Sequence, residues 1–240
     1  MQGICNSPET GPEQDGKGFQ ECQRCPRLIV CQKLSKRFGE NFALREISFS
    51  ADGKIAVFGH NGAGKSTLVK ILAGILKPSS GKVEIFGLEP RKSSNLRRRI
   101  GVVTHNPMLY RELTVRENLE FYSKIYQAGN WGIVCSLGLK EKLNFRISEL
   151  SEGFVQRVAI ARALMINPKL LILDEALSGL DAESREVVLR IMQEFDGILV
   201  FSTHQFEDAE FCDSFIVLER GRLVYFGESY EKAVRSLSAR

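Results

Sequence analysis

The sequence predicts an α/β fold: a parallel sheet flanked by helices, with an antiparallel β subdomain and a helical insert subdomain attached. Three observations carry that expectation. Short apolar runs of strand length alternate with stretches of helical periodicity through the second half of the chain. A cluster of β-rich runs separated by turn signals lies near the beginning. Between the two, a glycine-rich loop joins a strand to a helix.

Taken in order, Met1 to Gln20 hold Gly, Pro, Gln, Asp and Glu with few apolar side chains, too little buried surface to offset the entropy of ordering. Residues 1–26 therefore read as a flexible, cysteine-containing extension and 27–240 as one folded domain. The extension lacks the basic start and apolar core of a secretory signal. Strands are expected at Leu28 to Lys33, Phe42 to Phe49 and Lys54 to Phe58, with turns at Phe38 to Asn41 and Asp52-Gly53. After Gly64 the spacing of Leu68, Val69, Leu72 and Ile75 predicts a helix, followed by strands at Lys82 to Phe86 and Ile100 to Val103. Thr114 and Glu117 form a capping-box pattern ahead of Leu119, Tyr122 and Ile125, opening a helical insert that spans about 104–166. Helix Glu152 to Met165, strand Leu170 to Leu173, helix Ala182 to Phe195 and strand Ile198 to Ser202 complete the alternation.

A length of 240 residues suits one sizeable α/β domain, and 43% hydrophobic with 26% charged residues is ordinary globular composition. The longest apolar runs fall far short of the roughly 20 residues needed to span a bilayer, so any membrane role must come through a partner. A net charge of +4 with scattered Lys and Arg argues little for nucleic acid; the cluster Arg91, Lys92, Arg97, Arg98 and Arg99 reads as a solvated helix face. Six cysteines, Cys5, Cys22, Cys25, Cys31, Cys135 and Cys212, are too dispersed for a disulfide framework and read as reduced thiols. A zinc site from Cys5, Cys22, Cys25 and Cys31 is a minor alternative, because no second Cys-x-x-Cys pair completes it and Cys31 falls in the first strand.

The sharpest motif is Gly59-His60-Asn61-Gly62-Ala63-Gly64-Lys65-Ser66, which fits G-x-x-x-x-G-K-[ST] between the strand ending at Phe58 and a helix. Glycines there let backbone N–H groups turn toward phosphate oxygens while the helix presents its positive end to the same anion. Lys65 is expected to reach the outer phosphates, and Ser66 to offer a hydroxyl to Mg²⁺, which prefers oxygen ligands. The strand Leu170 to Leu173 delivers Asp174 and Glu175 to its carboxyl end, where open α/β sheets bind ligands. Asp174 suits the Mg²⁺ shell and Glu175 the polarisation of a water for in-line attack on a γ-phosphate.

From about Leu28 to about Gly227 the chain resembles the nucleotide-binding subunits of ABC (ATP-binding cassette) transporters, P-loop NTPases with a distinctive signature segment. Leu150-Ser151-Glu152-Gly153-Phe154 and the following Gln156-Arg157-Val158 resemble that signature and its helix. The resemblance implies that Ser151 and Gly153 contact the γ-phosphate held by an opposite subunit, in trans. Ser178-Gly179-Leu180-Asp181 resembles the family's D-loop, adding Asp181 to the trans set, and His204 resembles its switch histidine beside the γ-phosphate. Phe38 matches the place where the family stacks an aromatic ring on adenine, with core packing as the alternative. The implied nucleotide set is Phe38 with Gly59, His60, Asn61, Gly62, Ala63, Gly64, Lys65, Ser66 and Thr67; Glu175, His204 and Lys65 are implied to be catalytic.

Two positions depart from the family pattern. His105 stands where most relatives carry the Q-loop glutamine; an imidazole is a softer Mg²⁺ ligand than an amide oxygen, and its role stays open. Glu152 and Phe154 replace the commoner glycine and glutamine of the signature. Histidine at the first position also occurs among haem-exporter-like ATPases, which favours export over import.

The expected protein is the energising subunit of a transporter, using ATP and Mg²⁺, paired with a second ATPase subunit and a membrane-spanning permease on the cytoplasmic face. Docking is expected near Met108, Leu109 and Tyr110. A soluble ABC ATPase acting in translation or DNA maintenance is the alternative, but neither a second cassette motif nor a heptad insert is present. A regulator that binds nucleotide without turnover would explain His105 and Glu152, yet Lys65, Asp174, Glu175 and His204 are all retained.

Overall fold

The computed structural model describes residues 28–238. The expected extension at 1–26, with Cys5, Cys22 and Cys25, lies outside the described residues. Within them, Cys31 is buried in the first strand, and burial pushes its thiol up to about 12. A thiol held neutral in an apolar core makes a poor zinc ligand, which removes one member of the four-cysteine set.

Two sheets form. Strands β1 (Ile29–Phe38), β2 (Asn41–Ala51) and β4 (Ser80–Ile85) make an antiparallel three-stranded sheet in the order β2-β1-β4. The larger sheet has the order β5-β6-β7-β3-β8-β9, built from β3 (Lys54–Phe58), β5 (Ile100–Val103), β6 (Leu170–Asp174), β7 (Ile198–Ser202), β8 (Ser214–Glu219) and β9 (Arg222–Gly227). Its first five strands run parallel and β9 closes the edge antiparallel. The five parallel strands are covered on both faces and so are almost continuously apolar, whereas β9 at the edge alternates between exposed and half-buried residues.

Successive strand residues serve opposite layers. Ile55, Val57, Ile172, Val200 and Ile216 pack with Leu68 and Leu72 of helix α1 (Lys65–Leu72). Ala56, Phe58, Leu173, Phe201 and Val217 face helices α5 (Glu152–Leu164), α6 (Ala182–Glu194) and α7 (Tyr230–Ser238). Helix α2 (Ser94–Arg97) is a single turn before β5, and α3 (Val115–Tyr126) and α4 (Gly132–Ser136) lie between β5 and α5. The capping box opening α3 forms as the sequence predicts: Thr114 Oγ1 accepts the Glu117 N–H and the Glu117 carboxylate accepts the Thr114 N–H.

Two differences from the sequence reading have local causes. The helix after the glycine-rich loop, expected to reach Ile75, ends at Leu72, because Gly74 turns the chain and its N–H closes onto the Ile71 carbonyl. Ile75 is left exposed beyond that turn. The antiparallel strand β1 runs past Lys33 to Phe38, with register shifts against β2 that absorb extra residues.

Candidate functional site

Strand β3 ends in the core at Phe58 and hands the chain to the loop Gly59–Gly64, which leads into α1. Gly64 is the N-cap of α1 at φ 109, and a Cβ there would stand 2.5 Å from the Ala43 carbonyl oxygen. The loop is thus wedged against β2, and only glycine fits both the left-handed backbone and the space. His60, Asn61 and Gly62 are exposed, while Lys65 is 4% exposed. The Lys65 ammonium folds back across the loop, donating to the Gly59 carbonyl at 2.7 Å and the His60 carbonyl at 3.4 Å. The buried ammonium, held by neutral carbonyls and facing the Glu175 carboxylate at 3.4 Å, is a cation at the mouth of the loop for which an incoming anion can compete.

Across from the loop, the end of β6 sets two adjacent carboxylates to different tasks. Asp174 is buried, and its Oδ1 accepts hydrogen bonds from Ser66 Oγ at 3.1 Å and Ser202 Oγ at 2.8 Å. Ser202 stands opposite Asp174 in the β6–β7 register, and its Oγ accepts the Glu175 N–H at 2.9 Å. Glu175 takes φ 55, a left-handed conformation that costs a non-glycine residue about 1–2 kcal/mol. That turn separates its side chain from Asp174: Glu175 Oε1 lies 3.4 Å from Lys65 Nζ and 3.0 Å from His204 Nε2.

Lys65, Ser66, Asp174, Glu175 and His204, drawn from three separate stretches of sequence, therefore meet in one polar cluster at the carboxyl ends of β3, β6 and β7. Ser202 belongs to it as well, although sequence reasoning gave it no role. Its signal was a small hydroxyl residue ending an apolar strand beside the Asp174 strand. Asp208, Thr203 and Arg185 were missed too, and they hold the turn that carries His204. Asp208 accepts from Thr203 Oγ1 at 2.9 Å and from Arg185 Nη2 at 2.6 Å, and Arg185 also donates to Gln205. Burial pushes the Asp208 carboxyl up, with both donors opposing the shift.

The remaining candidates lie outside that hydrogen-bonded cluster. Phe38 ends β1 with its ring 51% exposed and the Lys36 ammonium 4.9 Å from the ring centroid. Ser151 is the exposed N-cap of α5 and its side chain makes no capping bond; Glu152 beside it is exposed and Gly153 buried. Phe154 packs its ring against the guanidinium of Arg157 at 4.6 Å and the ammonium of Lys142 at 5.1 Å. Asp181 caps α6, accepting the Ser184 N–H and hydroxyl, both at 2.9 Å, and these bonds hold its carboxyl below the usual range.

His105 is exposed on the loop after β5. The same loop carries exposed Met108 and Tyr110, while Leu109 packs partly on the core. Fully buried Asn118 of α3 ties this loop down, accepting the Tyr110 N–H at 2.8 Å and donating to the Tyr110 carbonyl at 3.0 Å.

The ABC transporter family model matches residues 44–178. The chain is 34% identical over 212 residues to Nod factor export ATP-binding protein I of Rhizobium etli, covering 82% of this chain and 67% of that protein. It is 32% identical over 231 residues to the ABC transporter ATP-binding protein NatA of Bacillus subtilis, covering 87% of this chain and 94% of that one. A solved ATP-binding cassette, dimeric in a post-hydrolysis state with ADP and Pi, superposes with a TM-score of 0.74 at 27% identity over 83% of this chain and 98% of its own.

Proposed function

The chain belongs to the ABC transporter ATP-binding family, and on that premise we propose that it binds MgATP at Gly59–Thr67, hydrolyses it within a dimer and drives a separate membrane-spanning permease. The observation that supports this most is the placement of Glu175 Oε1 between Lys65 Nζ at 3.4 Å and His204 Nε2 at 3.0 Å, beside the loop. A triphosphate entering the loop competes for Lys65, and its negative charge draws the ammonium away from Glu175. The freed carboxylate then faces the γ-phosphate as a general base for water. His204, with Nε2 3.0 Å from that carboxylate, fixes its direction.

Ser66 and Asp174 fit Mg²⁺, because they bring a hydroxyl and a carboxylate oxygen to within 3.1 Å of each other, both hard donors. When bound, the ion neutralises charge on the phosphate oxygens. Ser202 holds Asp174 in place for that task. Phe38, exposed at the end of β1, offers its ring for stacking on adenine.

Ser151, Gly153 and Asp181 lie apart from the cluster in their own chain, so their proposed work is on the nucleotide of a second subunit. The free hydroxyl of Ser151 and the N-terminus of α5 suit an anion brought by that partner. Among the described residues no helix is long and apolar enough to cross a membrane. The permease is proposed as the partner that spans it, with this subunit on its cytoplasmic face. The export named for the Rhizobium etli relative favours export here as well. Sedimentation of the Glu175→Gln chain with and without MgATP tests the reading: a dimer is expected only with nucleotide, and a monomer at saturating MgATP overturns it.

A further inference from the structure

The N-terminal turn of α5 and the N-cap of α6 are built into each other. A Cβ on Gly153 would stand 2.4 Å from Ser184 Oγ and 2.7 Å from Asp181 Oδ2, so glycine is required by close approach of the two helices. At that contact Ser184 Oγ uses its full hydrogen-bonding capacity. It donates to Asp181 Oδ2 at 2.9 Å and accepts from Arg157 Nε at 3.2 Å and Nη2 at 2.8 Å. Arg157 is 3% exposed, lies over the Phe154 ring, and extends Nη2 to within 3.3 Å of Glu183 Oε1.

A guanidinium buried this deeply is costly unless it finds partners, and Arg157 donates through Nε and Nη2 to Ser184 and through Nη2 to Glu183, a polar network specific in geometry. The network joins two segments far apart in sequence. On one side stand Ser151 and Gly153, on the other Asp181 at the end of the loop that starts from Glu175. We propose that Arg157 and Ser184 are positioning residues that clasp α5 to α6, so that Ser151, Gly153 and Asp181 meet a second subunit's nucleotide as one rigid surface. The inference rests on the dimeric reading given above. It goes beyond that reading by naming residues that touch no nucleotide and yet set the affinity of the two subunits for each other.

The clasp predicts a separation that simple loss of stability would not give. In the Glu175→Gln chain, Arg157→Ala and Ser184→Ala should each leave binding of a fluorescent ATP analogue to the monomer within about twofold. MgATP-driven dimerisation, followed by sedimentation, should weaken at least about tenfold. The double variant should be little worse than either single one, because both remove the same link. Arg157→Lys keeps the charge and a single donor group and should recover part of the dimer affinity. Should Arg157→Ala not fold, Ser184→Ala carries the test, since it removes only a hydroxyl. Unchanged dimerisation in these variants, fully additive losses, or an equal fall in monomer nucleotide affinity overturns the clasp. A parent Glu175→Gln chain that stays monomeric with MgATP overturns instead the reading on which it rests.

Discussion

Glu175 lies between Lys65 and His204, and Ser202 stands behind it. Replacing Glu175 by Gln keeps the shape and removes the proposed base, so turnover should fall by about 10²–10⁴ while ATP binding is retained. A phosphate-release assay beside equilibrium nucleotide binding checks this, and normal turnover would remove Glu175 from the role. Ser202→Ala takes away the acceptor for the Glu175 N–H and a donor to Asp174. Leaving such groups unmet costs about 1–3 kcal/mol. The variant should therefore show a lower denaturant midpoint together with reduced turnover; an unchanged midpoint would mean that other groups replace the hydroxyl. Asp174 and Glu175 stood out in the sequence because an apolar strand ending in two acids, a weak signal alone, gains weight beside the glycine-rich loop at Gly59. Ser202 did not, since a hydroxyl ending an apolar strand is a weak signal until the β6–β7 register sets it opposite Asp174.

At the scale of elements, local signals with a chemical cause translated directly into structure. The capping box at Thr114 starts α3, and the apolar runs at 54–58, 100–103 and 198–202 are strands with those bounds. Less legible were α2, a single turn, and the closing β8, β9 and α7, whose places depend on tertiary packing rather than on a motif: β8 pairs with β3, β9 with β8, and Tyr230 of α7 meets Phe215. The cap of α6 carries a pH signature. Hydrogen bonds from the Ser184 N–H, then from its hydroxyl, lower the Asp181 carboxyl, so the folded state holds this group ionised more readily than the unfolded chain does. Its stabilisation is present above the ordinary carboxylate value of about 3.9 and is lost as pH falls from there through the lowered one. Urea unfolding of wild type and Asp181→Asn should therefore show a wild-type advantage at neutral pH that shrinks on acidification through that window. An advantage that is constant with pH would show that the cap does not depend on ionisation.

For the whole molecule, the question is how the proposed closing of a nucleotide site would reach a separate permease. The loop after β5 offers a route, because it carries His105 and then exposed Met108 and Tyr110, at 47% and 50%. Helix α3 extends the same apolar surface: Phe121 meets the Tyr110 ring edge-on at 5.1 Å, and Ile125, one turn further along, is 55% exposed. The patch is held to the subdomain beneath it. Tyr122 donates its hydroxyl to the Met108 carbonyl at 2.6 Å, and the Arg162 guanidinium of α5 lies 5.1 Å from the Tyr122 ring centroid. The helix that begins at the signature therefore bears on the same aromatic residue that fixes the exposed loop. If dimer closure around ATP shifts α5, the patch shifts with it, and the difference in ATP contacts between open and closed dimers supplies the free energy passed to the partner. Contiguous exposed apolar side chains of this kind suit a partner helix. Met108→Asp combined with Tyr110→Asp should thus release the chain from membranes of cells that co-express its permease, while nucleotide binding by the purified protein stays within about twofold, because neither side chain belongs to the Lys65–Glu175 cluster. Membrane fractionation alongside nucleotide titration reads both. A double variant that sediments with the permease as wild type does would move the docking surface elsewhere on the fold.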